Sequence, residues 1–316
     1  MSNMTFGFII DAPETLTVDM DTTMLMVSEC NARGVRVLMT TLERLYMRDG
    51  ELYAQWWLSR FRNGDCVKAT LTEHGSHKID DSCNILFMRK DPPLNSSYYS
   101  ATQLLLHTKT KVVNDPVALL TQNEKLIPSL GPFAIPETYV SRDINFLLEL
   151  IESSHEDWVI KPANDKGGNG VFKVFRGYSN NRLLLQQVTN YGTAHAILQK
   201  YLKEVAQGDK RIFILRGKPL SWMNRIPPEN DFRANIHLGA KPLIYTLTDR
   251  DKEICEWVNT KLSPIDVPMI AIDIIGGFLS EVNITSPSGI PEINKINNKS
   301  YERDIIDEFL ELARKL

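Results

Sequence analysis

No run in this chain is apolar for long enough to cross a bilayer; the longest hydrophobic stretches have the length of one strand. The first residues, MSNMTFGFIIDAPE, lack a basic segment and meet Asp11 early, which reads against a signal peptide. Cysteine is scarce. Cys30, Cys66, Cys83 and Cys255 are scattered with no CxxC pair, as expected for reduced thiols in a cytoplasmic protein. Histidine shows no zinc spacing beyond His74-x-x-His77, in a polar segment read as an exposed loop. A GxxxxGK[ST] phosphate loop is missing, and so is a GxGxxG dinucleotide turn. The net charge of −3, with both signs intermixed, gives no broad attraction to nucleic acid and marks no membrane surface.

What is present is a large core: 43% of 316 residues are hydrophobic. Residues 5–10 (TFGFII) and 35–40 (VRVLMT) read as strands on either side of a helix over 24–33. Asp21 or Thr22 caps its start and Gly34 its end. Strand, helix, strand predicts a parallel α/β unit, continued by strands at 84–88 and 111–113 around a helix at 98–109. Further on, strands are predicted at 135–140, 158–160 and 170–175, with helices at 145–153 and 182–192, and a further element follows at 196–202. From Arg211 the pattern becomes hairpins, turning at 216–218 and at Gly276-Gly277, and 301–316 reads as an amphipathic helix. The fold class is α/β with α+β lobes: an N-terminal α/β lobe (1–120), a small lobe (121–201) and a hairpin-rich C-terminal lobe (202–316).

The second hairpin contains the chemistry. Side chains alternate faces along a strand. Ile270, Ile272 and Ile274 therefore share one face, and Asp273 takes the other; Glu281 and Asn283 share a face on the returning strand. A loop at 276–278 would set Asp273 opposite Glu281, with Cβ atoms roughly 4.5–5.5 Å apart. Facing carboxylates repel unless something neutralises them, and a divalent cation would. Two carboxylates and an amide oxygen are hard ligands suited to Mg2+, which keeps places for water and substrate phosphates.

A phosphate cradle is available upstream. Residues 164–170 (NDKGGNG) place Gly167, Gly168, Asn169 and Gly170 where backbone N–H groups can approach phosphate oxygens. Lys161 ends the apolar strand before this loop, where a charge facing inward needs a partner. Lys125 is a second cation of the same kind.

Together the stretches MRKDPP (88–93), NEKL (123–126), PET (136–138), VIKP (159–162), the glycine loop, GDKR (208–211), RIP (225–227), DIIG (273–276) and EVNITSP (281–287) keep an order that resembles the bacterial-type glutathione synthetases of the ATP-grasp superfamily. RKDPP and NxTSP are specific to that family; VIKP and the acidic hairpin are superfamily-wide. The resemblance implies an ATP-grasp fold behind an N-terminal parallel α/β pre-ATP-grasp domain. It implies that ATP phosphorylates the carboxylate of γ-glutamylcysteine and that the amine of glycine attacks the acyl phosphate. Lys125, Lys161 and the glycine loop would hold ATP phosphates, and Gln199, Tyr201 and Leu202 its adenine. Asp273, Glu281 and Asn283 would carry two Mg2+ ions, Mn2+ substituting. Arg211 and Arg225 would face the γ-phosphate and the acyl phosphate. Arg233, Asn235, Ser286 and Pro287 would line the peptide and glycine sites, with Asp21 and Arg89 placing the dipeptide. Two lids would exclude water: the glycine loop and the polar segment 228–241. The family also implies a homo-oligomer.

The chain departs from the family pattern in three places. Met20 stands where a lysine is usual. The run 235–241 (NIHLGAK) has one glycine where several are usual, and 288–292 (SGIPE) has Pro291 where an arginine is usual. All three fall on the peptide and acceptor side. The second reading is therefore an ATP-grasp ligase of the same subfamily that joins a different peptide-like carboxylate and amine.

Overall fold

The computed structural model describes residues 4–16, 21–60, 70–165 and 167–316; Met20, Cys66 and Lys166 lie outside them. Strand β1 (Thr5–Ile9), helix α1 (Thr22–Ala32) and β2 (Arg36–Thr40) form the expected parallel unit. Asp21 caps α1 by accepting from the N–H groups of Thr23 and Met24 at 2.6 and 3.1 Å. The chain then runs through β3 (Leu45–Arg48), β4 (Glu51–Arg60) and β5 (Thr70–Lys78), an antiparallel extension that sequence patterning left unassigned. His74 and His77 lie on β5, so the loop reading is corrected. Strand β5 is polar apart from Leu71, and its ladder to β4 holds it where apolar alternation does not. β6 (Ile85–Met88), α2 (Ser96–Leu104), β7 (Lys111–Val113) and α3 (Pro116–Thr121) complete a seven-stranded sheet in which β2, β1, β6 and β7 run parallel.

A four-stranded antiparallel sheet follows: β8 (Thr138–Ser141), α4 (Ile144–Ser153), β9 (Trp158–Pro162), β10 (Phe172–Val174), α5 (Asn181–Val188) and β11 (Ala196–Lys200), in the order β10-β9-β11-β8. Leu147, Ile151, Trp158, Ile160, Leu185 and Leu198 give it a core of its own.

The last sheet has five strands in the order β14-β13-β12-β15-β16. It contains β12 (Asp209–Leu215), β13 (Lys218–Ile226), β14 (Lys241–Leu243), β15 (Met269–Ile275) and β16 (Phe278–Asn283), with α6 (Asp249–Leu262) before β15. Helices α7 (Ile290–Asn297) and α8 (Tyr301–Ala313) end the chain. The first and last sheets share core: Ile212, Ile270 and Ile272 cluster with Ile9 and Leu86, and Phe213 and Ala271 with Phe8 and Phe309. The middle sheet is thus a separately cored body set on a continuous base.

The acidic hairpin reaches its register differently from the expected three-residue loop. Gly276 and Gly277 form a two-residue turn with φ of 58° and 82°, pairing Ile275 with Phe278. A bulge at Ser280 then shifts the ladder by one residue and sets Asp273 opposite Glu281.

Candidate active site

The middle body and the base enclose a cavity of about 570 Å³. Three strands of the base bring its charges together. Arg211 on β12 lies opposite Asp273 on β15, and Arg225 on β13 lies opposite Asp209. Asp273 accepts from Arg211 Nε at 2.6 Å and Nη2 at 2.9 Å, and its Oδ1 lies 2.9 Å from Arg225 Nη2. Arg225 also donates to Asp209 Oδ2 at 2.7 Å. All three of Arg211, Arg225 and Asp273 are buried. Burial opposes the Asp273 charge, yet the two guanidinium groups outweigh it and hold the carboxyl below its usual range. Burial pushes the Asp209 carboxyl upward against the pull of Arg225. The opposed acids are therefore neutralised by arginines on one side and by Lys125 on the other, whose Nζ lies 3.5 Å from Glu281 Oε1.

Lys125 is carried by a loop docked on β16. The neighbouring Glu124 carboxylate accepts from the N–H groups of Ile284 and Thr285, each at 2.7 Å, and its carbonyl from Val282 N–H at 2.9 Å. Lys125 Nζ also donates to the Asp165 carbonyl. Lys161 owes its place to strand alternation: on β9, Trp158 and Ile160 enter the middle core while Val159 and Lys161 line the cavity. Burial, reinforced by Lys125, brings the Lys161 ammonium down to about 8 despite Glu281. No hydrogen bond reaches it from the described residues.

Glu281 and Asn283 line the cavity beside Asp273. The Asn283 amide nitrogen donates to the Ala271 carbonyl at 3.2 Å, which leaves its oxygen for a cation. Asp273 Oδ1 already faces two donors, so the open lone-pair capacity lies on Asp273 Oδ2 and on Glu281. An all-oxygen set on one hairpin face, under two buried lysines, fits the donor preference of a hard divalent ion. At the other end Gln199, Tyr201 and Leu202 meet Ile135, Val159, Val205, Phe232 and Ile275 in a mainly apolar slot.

The two expected lids meet over the cavity. Arg233 Nη1 donates to the Gly168 carbonyl at 3.0 Å. Gly168 has φ +77°, and a Cβ there would lie 2.7 Å from Asn235 Oδ1; one on Gly167 would lie 3.1 Å from His237 Cε1.

Of the residues singled out in the sequence, Asp21, Lys125, Lys161, Gly167, Gly168, Asn169, Gln199, Tyr201, Leu202, Arg211, Arg225, Arg233, Asn235, Asp273, Glu281, Asn283 and Ser286 line this one cavity. Arg89, Gly170 and Pro287 do not. Gly170 packs on Pro162. Arg89 is buried behind the wall, donating to Thr23 Oγ1 at 3.0 Å and to the Pro287 carbonyl at 2.8 Å, while Ser286 Oγ donates weakly to the Arg89 carbonyl at 3.4 Å. Sequence reading passed over Glu124, Asp209, His237 and Glu292, all in the lining. The first two stand inside the quoted NEKL and GDKR stretches, next to lysines that drew attention away from them.

A model of the prokaryotic glutathione synthetase N-terminal domain matches residues 4–119, and one of the prokaryotic glutathione synthetase ATP-grasp domain matches residues 124–298. The chain belongs to the prokaryotic glutathione synthetase family. It is 35% identical over 315 residues to a glutathione synthetase of Gloeobacter violaceus, with 97% of each chain covered. A glutathione synthetase of Agrobacterium fabrum is 35% identical over 278 residues, covering 87% of this chain and 86% of its own. Among solved structures, the D-cycloserine synthetase DcsG superposes with a TM-score of 0.68 at 13% identity, over 96% of this chain and 99% of the other. D-alanyl-alanine synthetase A of Vibrio cholerae gives 0.58 at 13%, over 97% of each. That likeness is one of fold: glutathione synthetases and these ligases share the ATP-grasp architecture. Family membership carries ATP use and a general dependence on divalent metal.

Proposed function

We propose that the protein joins γ-glutamylcysteine to glycine at the expense of ATP, releasing glutathione, ADP and phosphate by way of an acyl phosphate. We read three lobes: 1–120 and 202–316 as the base, and 121–201 as the lid body that covers ATP. One observation carries the reading: buried cations, an oxygen-lined hairpin face and two touching lids converge on a single cavity.

The residues divide the work. Lys125 and Lys161 hold the phosphates from the lid side, and Gln199, Tyr201 and Leu202 hold adenine. Gln199 Nε2 already donates to Thr138 Oγ1 at 2.9 Å, so its oxygen is the atom left to accept from the base. Arg211 and Arg225 present fixed positive charge to the transferring phosphoryl group and then to the acyl phosphate, where preorganised charge lowers the barrier. Asp273, Glu281 and Asn283 would hold two Mg2+ ions, or Mn2+ in their place, which would supply charge neutralisation for the phosphates. Arg233 and Asn235 close the second lid on Gly168 and keep water from the acyl phosphate. Asp21 and Ser286 line the dipeptide end; Arg89 and Pro287 support that wall. We place the protein in the cytoplasm on the free, buried thiols of Cys30, Cys83 and Cys255, and as a homo-oligomer.

The departures at 238–241 and at Pro291 favour one second reading, a changed acceptor or donor. ADP release with γ-glutamylcysteine plus glycine, run against a panel of other amines and dipeptides, separates the two. No ADP from the first pair alongside turnover with another would replace the reading.

A further inference from the structure

The placement of Glu292 is specific. It sits in the first turn of α7 and lines the cavity. Its carboxylate takes its own backbone N–H. The other oxygen, Oε2, is buried with no hydrogen-bond partner. An acidic residue in a first helical turn is ordinarily accounted for by the helix dipole, and then its oxygens are solvated. A buried oxygen left unpaired is costly, and a turn of the side chain toward the cavity lets a ligand supply the donor.

The local sequence is built to bring this carboxylate to the reacting centre. Gly289 adopts φ +112°, where a Cβ would lie 3.2 Å from Met223 Cε and 3.5 Å from Arg211 Cγ. Without a side chain, the turn lies directly against the Arg211 stem. Arg211 Nη1 ties it down by donating to the Ser288 carbonyl at 3.0 Å. Pro291 then fixes φ at the helix start, where a missing N–H costs no hydrogen bond. The charged groups around Glu292 are Arg211 on β12, Arg225 on β13 and Asp21 at the cap of α1.

We infer that Glu292 holds the ammonium group of the acceptor amino acid beside the acyl phosphate, and so selects acceptors with a primary amine. The inference rests on the ligase reading above. Arg211 and Arg225 are the groups assigned to the acyl phosphate, and Glu292 is their neighbour. The amine that attacks that carbonyl is the acceptor's: its ammonium proton passes to the Glu292 carboxylate, the C–N bond forms and phosphate leaves. The glutamyl ammonium lies at the opposite end of the dipeptide, which turns an acidic receptor at this position toward glycine.

The test is steady-state kinetics of Glu292→Gln and Glu292→Asp with all three substrates varied in turn. The expected result is a glycine KM raised at least tenfold in Glu292→Gln, with the KM for ATP and for γ-glutamylcysteine within twofold of wild type. Glu292→Asp should recover part of the loss. Acyl phosphate formation without glycine, followed as positional isotope exchange in ATP, should stay near the wild-type rate. An unchanged glycine KM, or a rise confined to the dipeptide KM, overturns the inference. A fold defect would lower all three affinities together and is read out by thermal melting. Wild-type protein run in parallel keeps the two levels apart: if it fails to turn over γ-glutamylcysteine and glycine, the ligase assignment fails. If it succeeds and the variant matches it, only the role of Glu292 does.

Discussion

Lys161 is a cation held ready for an anion, and the nucleotide-free protein should be less stable for it. Burial moves the ammonium from its usual 10.5 to about 8, with Glu281 only partly compensating. That difference corresponds to about 3 kcal/mol of extra charging cost in the folded state. Below pH 8 both folded and unfolded chains carry the proton, so the cost is fully present. Between about pH 8 and 10.5 the folded protein releases the proton first, and the cost fades as pH rises. Replacing Lys161 by Met keeps the volume of the stem and removes the charge. Nucleotide-free Lys161→Met should therefore melt about 5 °C higher than wild type at pH 7. The advantage should shrink toward pH 10. Mg-ATP should reverse the ranking. A charge-assisted hydrogen bond to phosphate is worth about 1.5–3 kcal/mol, so ATP should bind the variant roughly 10–100-fold more weakly. Thermal melting with and without Mg-ATP, at several pH values, measures all of this. If nucleotide-free Lys161→Met were no more stable than wild type, or its advantage did not fall with pH, the buried-charge argument would be wrong.

Other consequences follow from the same geometry. Asp273→Ala leaves Arg211 without its carboxylate and Arg225 with Asp209 alone; urea titration should show a loss of about 3–5 kcal/mol, and ligase activity should vanish. Intact stability in that variant would mean the arginines find other partners. Gly168→Ala puts a methyl group 2.7 Å from Asn235 Oδ1, so Asn235 must turn aside, the lids meet less closely and the ATP KM should rise about tenfold in initial-rate assays, an order-of-magnitude figure for a misplaced lid. Gly177 has a similar φ of +76° with nothing near its missing Cβ. Gly177→Ala carries the same backbone strain and should leave that KM unchanged, which separates closure from strain.

The legible parts of this fold are those where one local pattern decides the outcome. Periodicity placed β1, α1 and β2, because alternation and a cap agree there. It placed the facing pair Asp273 and Glu281 correctly by a wrong route, since a bulge at Ser280 does what a longer loop was expected to do. A two-residue glycine turn and a three-residue loop differ by one step of register, and only backbone hydrogen bonding chooses between them. Strand β5 was illegible for a different reason: TLTEHGSHK has a single apolar residue, Leu71, and no apolar alternation, so its conformation comes mainly from the ladder to β4. Helix α6 was missed although its signal was there. Thr248 and Asp251 form a capping box, and Ile254, Cys255, Val258 and Leu262 repeat on one face. At the site, cations were easy to pick out because an isolated lysine in an apolar strand is anomalous. Acids paired with them were not, because Asp209 and Glu124 beside lysines look like ordinary surface charge. Their burial follows from pairing that the local sequence does not display: β13 returns Arg225 onto Asp209, and the end of β16 receives Glu124. A site whose cations are visible in sequence should therefore be searched for the acids that hold them in place, and Asp209 is the case to learn from: its Oδ2 grips Arg225 while its buried Oδ1 has no partner.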